Sequence, residues 1–225
     1  MNCPSDILID HENNSLIIAD QGNRRVMRWS MEPKRKQQIL LSNIDCSNLV
    51  MDKDGFIYIS DSVKHEVTRW KEGETQRILV AGGNGKGDQL NQLNTPSSIF
   101  VDANDSIYIS DRENHRVVKW TKDAKEGIIV AGGHGEGKNL KQLSYPQGIM
   151  LNHLGQIYVA DCGNHRIMRW CEGYSEGTVA VGNNRSGKQP DQFDKPHALA
   201  FDPQGNLYIV DCANHRIQKF EISFD

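Results

Sequence analysis

The chain alternates short apolar runs with polar turns, and no stretch shows a helical period. The fourth unit is the clearest, with apolar runs at 148–151, 156–160, 166–170 and 178–181. Polar, glycine-containing turns separate these runs. Short runs rich in β-branched and aromatic residues predict β-strands. Four such strands per unit predict one four-stranded antiparallel sheet, which is the blade of a β-propeller.

One ten-residue phrase recurs five times, opening with an aspartate and closing with an aromatic residue. The opening residues are Asp20, Asp61, Asp111, Asp161 and Asp211, so the steps are 41, 50, 50 and 50 residues. A fixed period of this size is typical of stacked supersecondary units. We therefore predict an all-β β-propeller that forms a single domain over residues 1–225. Its repeats are expected at about 4–41, 46–82, 96–132, 146–182 and 196–225.

The two ends of the chain limit the number of strands. After Phe220 the chain continues only to Asp225, which is too short for a turn and a fourth strand, and little chain precedes Pro4. We expect four complete blades and an incomplete fifth. A fragment of a larger ring is favoured over a ring that closes imperfectly and leaves an edge exposed.

The third strands end in a large aromatic residue once per repeat. These residues are Trp29, Trp70, Trp120, Trp170 and Phe220. The second strands are apolar nearly throughout, as expected when both faces of a sheet are covered. We therefore interpret the aromatic residues as wedges between blades and not as a cage for a ligand.

The repeated motif Asp-x-x-Asn-His-Arg-Ile/Val resembles the NHL repeat. The pairs 114–115, 164–165 and 214–215 read Asn-His, whereas 23–24 and 64–65 are degenerate. The resemblance covers residues 4–222 and implies a β-propeller, most often six-bladed, so the chain is consistent with a fragment of such a ring. NHL propellers serve as protein- or RNA-binding modules in tripartite-motif ubiquitin ligases, as extracellular sensors of bacterial kinases, and as metal-dependent enzymes such as the peptide-amidating lyase.

Composition narrows the function only slightly. The net charge is −3 with 24% charged residues, which gives no global bias toward nucleic acid or membranes. The chain has no apolar run of about 18 residues and its first residues lack the features of a signal peptide, so we expect no membrane insertion and leave the compartment open. Five cysteines without a CxxC spacing are expected to be free thiols.

The repeated aspartates and histidines have a functional and a structural interpretation. They could be metal ligands or acid–base groups, or they could cap and lock the repeated turn. A turn needs its cap in every copy, whereas a site rarely needs five copies of one ligand. We therefore predict a structural role for the five aspartates and for His65, His115, His165 and His215.

Two surfaces remain as candidate sites. The turns after the second strands and the long glycine-rich loops are expected on one rim, where a rigid scaffold usually carries its function. The rim candidates are Lys86, Arg112, His134, Lys138 and Arg185. The expected mouth of the central channel carries Asp6, Asn48, Ser98, Gln147 and His197. This second set is poor in carboxylates, so we expect no catalytic residue, no metal and no cofactor.

The predicted function is a non-catalytic NHL-repeat scaffold that engages a protein or peptide through the loop-bearing face. Two alternatives stay open. One is a metal-dependent propeller enzyme of the lyase or lactonase type. The other is an RNA-binding module, which needs a basic patch with aromatic platforms. The rim cations are interleaved with acidic residues, so RNA is the weaker partner. The oligomeric state is left open.

Overall fold

A computed structural model describes residues 1–32 and 37–222, so residues 33–36 and 223–225 of the first and fifth predicted repeats lie outside the described residues. The described strands form five sheets that follow one another along the sequence. Four sheets have four strands and the last has three. The chain is therefore an all-β β-propeller with five blades.

The strands of the first two blades are β1 (Asp6–Asp10), β2 (Ser15–Asp20), β3 (Arg25–Ser30), β4 (Gln38–Ser42), β5 (Cys46–Met51), β6 (Ile57–Asp61), β7 (Glu66–Trp70) and β8 (Ile78–Gly82). Those of the third and fourth blades are β9 (Pro96–Val101), β10 (Ile107–Asp111), β11 (Arg116–Trp120), β12 (Ile128–Gly132), β13 (Pro146–Leu151), β14 (Ile157–Asp161), β15 (Arg166–Trp170) and β16 (Thr178–Val181). The fifth blade contains β17 (Pro196–Phe201), β18 (Leu207–Asp211) and β19 (Arg216–Phe220).

The chain forms two compact units, and the division runs through the third sheet. The first unit comprises residues 1–107 and 120–127, and the second comprises 108–119 and 128–225. The first unit contains the first two blades, and the second contains the last two.

The second strand of each blade is the most buried. All five residues of β6, β10 and β14 are buried, which confirms the expectation that both faces of these strands are covered. In the first unit, Ile57 and Trp70 of the second blade share one apolar cluster with Ile17 and Val26 of the first. The wedge role is thereby confirmed for Trp70. Trp29 differs because its side chain is exposed.

The prediction of four complete blades and an incomplete fifth is corrected, because the structure has five blades. Its three strands pair in the register of the fourth blade: Leu207 lies opposite Phe220 and Asp211 opposite Arg216, as Ile157 lies opposite Trp170. Because β18 pairs with β17 on one side and β19 on the other, the three strands form a separate sheet without a fourth strand. That the chain is a fragment of a six-bladed ring stays a prediction.

The innermost strands of the last two blades approach closely at Gly148. A Cβ atom placed there would lie 2.6 Å from the carbonyl oxygen of His197 and 2.9 Å from the Cα of Ala198. Both neighbours are backbone atoms, so a larger residue requires the two strands to separate. Glycine is thus needed here for space.

We expect Gly148→Ala to destabilise the second unit by about 1–3 kcal/mol, because it overpacks a backbone contact. The matched control is Ser98→Ala, at the equivalent position of the third blade, which already has a Cβ atom and should change stability by less than about 0.5 kcal/mol. Urea denaturation followed by circular dichroism measures both. Equal midpoints for Gly148→Ala and the wild type would show that the strands separate without cost.

Candidate functional site

The turn between the second and third strands is organised by a buried carboxylate. In the fourth blade, the 3₁₀ turn Cys162–Asn164 follows Asp161. One carboxylate oxygen of Asp161 accepts hydrogen bonds from Asn164 Nδ2 at 2.8 Å and from Arg166 Nε at 2.7 Å. The other accepts from the backbone N–H of Ser144 at 2.7 Å. The carboxylate therefore joins its own turn, the next strand and the preceding loop.

The same arrangement recurs with one exception. Carboxylates that accept from both the asparagine and the arginine of their own turn are Asp20, Asp111, Asp161 and Asp211. Asp61 instead accepts from the backbone N–H groups of Val63 and Lys64, at 3.1 and 2.9 Å. Lys64 and Glu66 stand where the other copies have asparagine and arginine, so backbone donors take over.

The arginine of the turn also holds the preceding long loop. Arg166 Nη1 donates to the carbonyl oxygen of Lys138 at 2.9 Å, and Nη2 donates to those of Asn139 and Gln142, both at 3.2 Å. In the fifth blade, Arg216 repeats this pattern on the carbonyls of Lys188, Gln189 and Gln192. A planar guanidinium with five donors suits a loop whose carbonyls converge on it.

The long loop between the third and fourth blades is fixed at several further points. Leu143 is fully buried and forms a parallel bridge with Glu136. The carbonyl oxygen of Leu140 accepts from the N–H of Gly177 at 2.8 Å. Gln142 Nε2 donates to the carbonyl oxygen of His134 at 2.9 Å. The loop therefore presents a preformed surface.

The repeated histidine ends the turn in a left-handed backbone conformation, with φ between 52° and 57°. Its Nδ1 atom accepts a hydrogen bond from a backbone N–H of the following long loop in three copies. The pairs are His65 with Thr95 at 3.0 Å, His115 with Tyr145 at 3.2 Å and His165 with Lys195 at 3.3 Å. His215 has the same backbone conformation.

The first blade carries Arg24 at the position of the histidine. Arg24 has the same left-handed backbone, with φ of 53°. Its guanidinium pairs with Asp45 at 2.9 Å. The connection from the first to the second blade is the short one, so no long-loop amide requires an acceptor there.

The local environment gives two of the turn aspartates opposite pKa shifts. Burial raises the pKa of Asp161, against the opposing effect of its hydrogen bonds from Asn164, Ser144 and Arg166. For Asp20, burial also acts upward, but the bonds from Asn2, Asn23 and Arg25 outweigh it and lower the pKa to about 2. Asp20 is therefore a carboxylate that the folded state holds in the charged form.

The predicted rim cations lie in both units. Arg112 begins the turn after β10, where its guanidinium is 5.2 Å from the ring centre of Tyr145 and pairs with Glu113. His134, Lys138 and Arg185 are exposed on the two long loops of the second unit. Lys86 is exposed on the corresponding loop of the first unit. The structure thus leaves these loop side chains accessible.

Tyr145 is a residue of this surface that the sequence analysis did not single out. Its ring packs edge-on against His115, with ring centres 4.7 Å apart, and lies beneath the Arg112 guanidinium. Thr95 and Lys195 occupy the same place in the other long loops. The sequence feature that could have identified Tyr145 is the difference between repeats at this position, since only one of the three long loops carries an aromatic residue there.

Arg112 also influences two nearby groups. Burial raises the pKa of the Cys162 thiol, with Arg112 and Lys195 acting in the opposite direction. His197 is exposed, but the surrounding protein atoms partly remove water from its imidazole. This desolvation lowers the pKa of His197, and the positive charge of Arg112 lowers it further. In this part of the second unit, the Arg112 cation therefore lies near a thiol and an imidazole and acts on both.

The channel-mouth candidates of the first unit are bonded to each other. Asp6 Oδ2 accepts from Asn48 Nδ2 at 2.6 Å and from the N–H of Leu49 at 2.8 Å. Asn48 Oδ1 in turn accepts from the N–H of Ile99 at 2.9 Å. These contacts connect the first strands of successive blades. Burial raises the pKa of Asp6 against its backbone hydrogen bonds.

The other channel-mouth candidates lie on separate first strands. Ser98 lies in β9, Gln147 in β13 and His197 in β17. The carbonyl oxygen of Gln147 accepts from Ser110 Oγ at 2.5 Å. In residues 1–32 and 37–222, no group of three or more His, Cys, Asp or Glu side chains is placed to hold a metal ion. No helix in this part of the chain has the length and apolar character that a membrane crossing needs.

We expect Arg166→Ala to cost about 3–5 kcal/mol of stability, because it leaves the buried Asp161 carboxylate without its cation and removes three hydrogen bonds to the loop. Arg216→Ala is the matched control: it makes the same contacts, but its side chain is 30% exposed against 1% for Arg166. Water can replace the lost donors at this more exposed site, so Arg216→Ala should lower the free energy of unfolding by less than Arg166→Ala does. Denaturant titration ranks the two variants, and equal costs would contradict the role of burial.

Asp20 makes stability depend on pH in the acid range. Its folded pKa of about 2 lies below the unfolded value of 3.8. The stabilisation is therefore present above about pH 4 and is lost as the pH falls toward 2. We expect the difference in melting temperature between the wild type and Asp20→Asn to shrink over that window. A difference that stays constant from pH 6 to pH 2 would rule out this carboxylate as the source.

The comparisons with known proteins agree with the fold. The NHL repeat family matches residues 93–120, 143–169 and 193–220, which lie in the third, fourth and fifth blades. No curated protein matches the chain significantly in sequence. The three matches contain the turn motif together with the buried loop residues that precede it.

Several solved structures share the architecture at low sequence identity. An auxiliary nutrient binding protein from Bacteroides thetaiotaomicron is 18% identical with a TM-score of 0.76, over 97% of this chain and 58% of that one. A chain of the nidogen/laminin complex is 18% identical with a TM-score of 0.74, over 98% and 76%. A gluconolactonase from Xanthomonas campestris is 15% identical with a TM-score of 0.72, over 98% and 76%.

The chain thus spans less than two thirds of the length of the nutrient binding protein, and identities of this size show a common fold only. The repeated turn, the five sheets and the three family matches lead to one assignment: the chain is a five-bladed β-propeller that contains NHL repeats in its third, fourth and fifth blades.

Proposed function

We propose that the chain is a non-catalytic binding scaffold that holds an acidic protein segment or peptide on the rim surface. The rim surface is defined as the exposed side of the turn at 112–114 and of the long loops at 132–145 and 182–195, all in the second unit. Its cations are Arg112, Lys138 and Arg185, and the exposed imidazole of His134 lies on the same surface. Lys86 belongs to the corresponding loop of the first unit and is assigned the same role there.

The observation that carries this proposal is the fixation of the loops. Arg166 and Arg216 bind the loop carbonyls, and Leu143 and Phe193 anchor the loops in the core. A loop that is already ordered loses little conformational entropy when a partner binds. The exposed cations then supply charge complementarity, which mainly sets specificity and association rate.

The chemistry of the rim surface favours a peptide over RNA. Arg112 is paired with Glu113, and the exposed Glu136 lies in the same loop as Lys138. Each cation that neutralises a phosphate adds to the affinity for a nucleic-acid backbone, and the acidic neighbours on this surface offset that gain. An acidic peptide needs only a few, and the ring of Tyr145 beneath Arg112 offers an apolar contact beside the charge.

The contacts of the channel mouth support a non-catalytic role. The carboxylate of Asp6 is occupied by Asn48 and Leu49, so it serves the joint between blades. The nidogen/laminin and nutrient-binding neighbours are proteins whose names describe binding. The gluconolactonase neighbour has the same fold with an enzymatic name, so fold alone does not choose.

The proposal is tested with random dodecapeptides displayed on phage and selected on the purified chain. We expect the enriched peptides to be acidic. We expect the double variant Arg112→Glu, Lys138→Glu to weaken their binding by about tenfold or more, a loss of about 1.4 kcal/mol. Fluorescence anisotropy of a labelled selected peptide measures the affinity.

Lys125→Glu is the control for charge reversal, because Lys125 is exposed in the turn between β11 and β12. Lys138 and Lys125 are exposed, whereas Arg112 is half-buried and paired with Glu113, so the melting temperature of each variant is measured beside that of the wild type. Lys138→Glu alone, at a fully exposed position, separates the loss of charge from a loss of stability. Unchanged peptide affinity in the double variant would refute the rim assignment. Displacement of the peptide by a single-stranded RNA oligonucleotide would favour the RNA-binding alternative.

A further inference from the structure

The first two blades carry an arginine at the same position of the third strand. Arg28 in β3 and Arg69 in β7 each lie one residue before the aromatic residue that closes the repeated phrase. Each arginine lines a groove between its own blade and the next one. The groove at Arg28 is called the first groove and the groove at Arg69 the second groove. Both are lined by residues of the first unit, so they can be compared position by position.

In the first groove, two carboxylates of the protein neutralise the arginine. Arg28 Nη2 pairs with Asp10 of its own blade at 3.0 Å. Arg28 Nη1 pairs with Glu72, which follows the third strand of the second blade, at 2.5 Å. One carboxylate from each wall of the groove therefore holds the guanidinium.

The second groove has a cation where the first has Glu72. Lys122 stands at this position, two residues after the aromatic residue of its repeat. Its ammonium group pairs with Asp105 at 2.9 Å. The hydrogen bond to Asp105 raises the pKa of Lys122, and the charge of Asp123 adds to this rise. Asp105 is thus engaged by Lys122.

The second carboxylate position is changed as well. Asp52 stands where the first groove has Asp10. It contacts the hydroxyl group of Tyr58, and that hydroxyl also contacts Arg69. The first blade has the apolar Ile17 in place of Tyr58. Among the described residues, Arg69 therefore lacks both ion pairs that hold its equivalent in the first blade.

The second groove contains a cavity beside Arg69, with a volume of about 230 Å³. The guanidinium carbon lies 4.8 Å from the centre of the Phe56 ring, and this stacking fixes the position of the cation. Ile78, Leu79 and Ile107 supply the apolar part of the lining. One small cavity therefore combines a guanidinium group with an apolar wall.

We propose that this cavity binds a small organic acid, with the carboxylate on Arg69 and the apolar body against the three apolar side chains. The ligand carboxylate then takes the role that Glu72 has in the first groove. A single negative charge suits the site, because Asp105 and Asp123 oppose a more highly charged anion such as phosphate. The volume is below the range of about 300–1,000 Å³ that is usual for ligand pockets, so the acid is small. The lining residues lie outside the rim surface, so this site is independent of the proposed peptide binding.

Benzoate and its neutral isostere benzamide are the probes. We expect benzoate to bind with a dissociation constant of about 1 mM or lower. Benzamide should bind at least about tenfold more weakly, because only the carboxylate forms an ion pair with Arg69. Saturation-transfer NMR titration at neutral pH measures both affinities, at low ionic strength because salt screens a partly exposed ion pair.

Lys122→Glu reproduces the first groove, because it places a carboxylate at the position of Glu72. We expect this variant to bind benzoate about tenfold more weakly or worse, since Arg69 then has a partner within the chain. The side chain of Lys122 is exposed, so the variant should fold, and circular dichroism melting checks this. Lys125→Glu is the matched control: it makes the same change of net charge at an exposed position of the same turn and should leave the affinity within about twofold.

Arg69→Met is a second variant that tests the cation directly. Methionine removes the charge but keeps a flexible apolar side chain beside Phe56, so the packing is retained. We expect this variant to bind benzoate no more tightly than benzamide. Its melting temperature is compared with that of the wild type.

Three results would overturn the proposal. Benzoate binding that is absent, or no tighter than that of benzamide, would show that the cavity does not recognise a carboxylate. Unchanged benzoate affinity in Lys122→Glu and Arg69→Met would place the binding elsewhere on the chain. An equal loss in Lys122→Glu and Lys125→Glu would show that the net charge sets the affinity, and not a contact with Arg69.

Discussion

The buried contact between Asp161 and Arg166 is the interaction on which the rest of the repeat depends. A carboxylate removed from water is tolerated only when its hydrogen-bonding capacity is met. Asp161 meets it with donors from its own turn, from the next strand and from the preceding loop. Arg166 then extends the same network to the loop carbonyls. One ion pair therefore fixes the turn, the strand and the loop together.

This network explains why a protein with long glycine-rich loops has a defined surface. The loops contain few side chains that can pack, so their order comes from carbonyls held by Arg166 and Arg216 and from one buried plug residue in each loop. The exposed cations on these loops are thereby held at fixed positions. Arg166 donates to the carbonyl oxygen of Lys138, whose side chain faces solvent, so the order of the loop and the position of this cation depend on the same contact.

Much of this fold was predictable from the sequence, because each blade follows from a short local pattern. The apolar run at 156–160 predicted the buried strand β14, and the 50-residue step predicted the repeat. The fifth blade was predicted to be incomplete because the chain has no fourth strand for it. In the structure, β18 pairs with β17 and β19, and these three strands are enough to form a sheet. Tyr145 and the mutual bonding of Asp6 and Asn48 were not predictable, since they depend on which loops and strands meet in space.

The left-handed turn residue links two features of the repeat that are far apart along the chain. Histidine stands there wherever a long loop follows, because its Nδ1 atom accepts the amide of Thr95, Tyr145 or Lys195. Arg24, which lacks an acceptor, stands where the connection is short. Each of these three histidines and its long loop therefore act as one unit: a long loop placed after a turn without this histidine would have an amide without that acceptor.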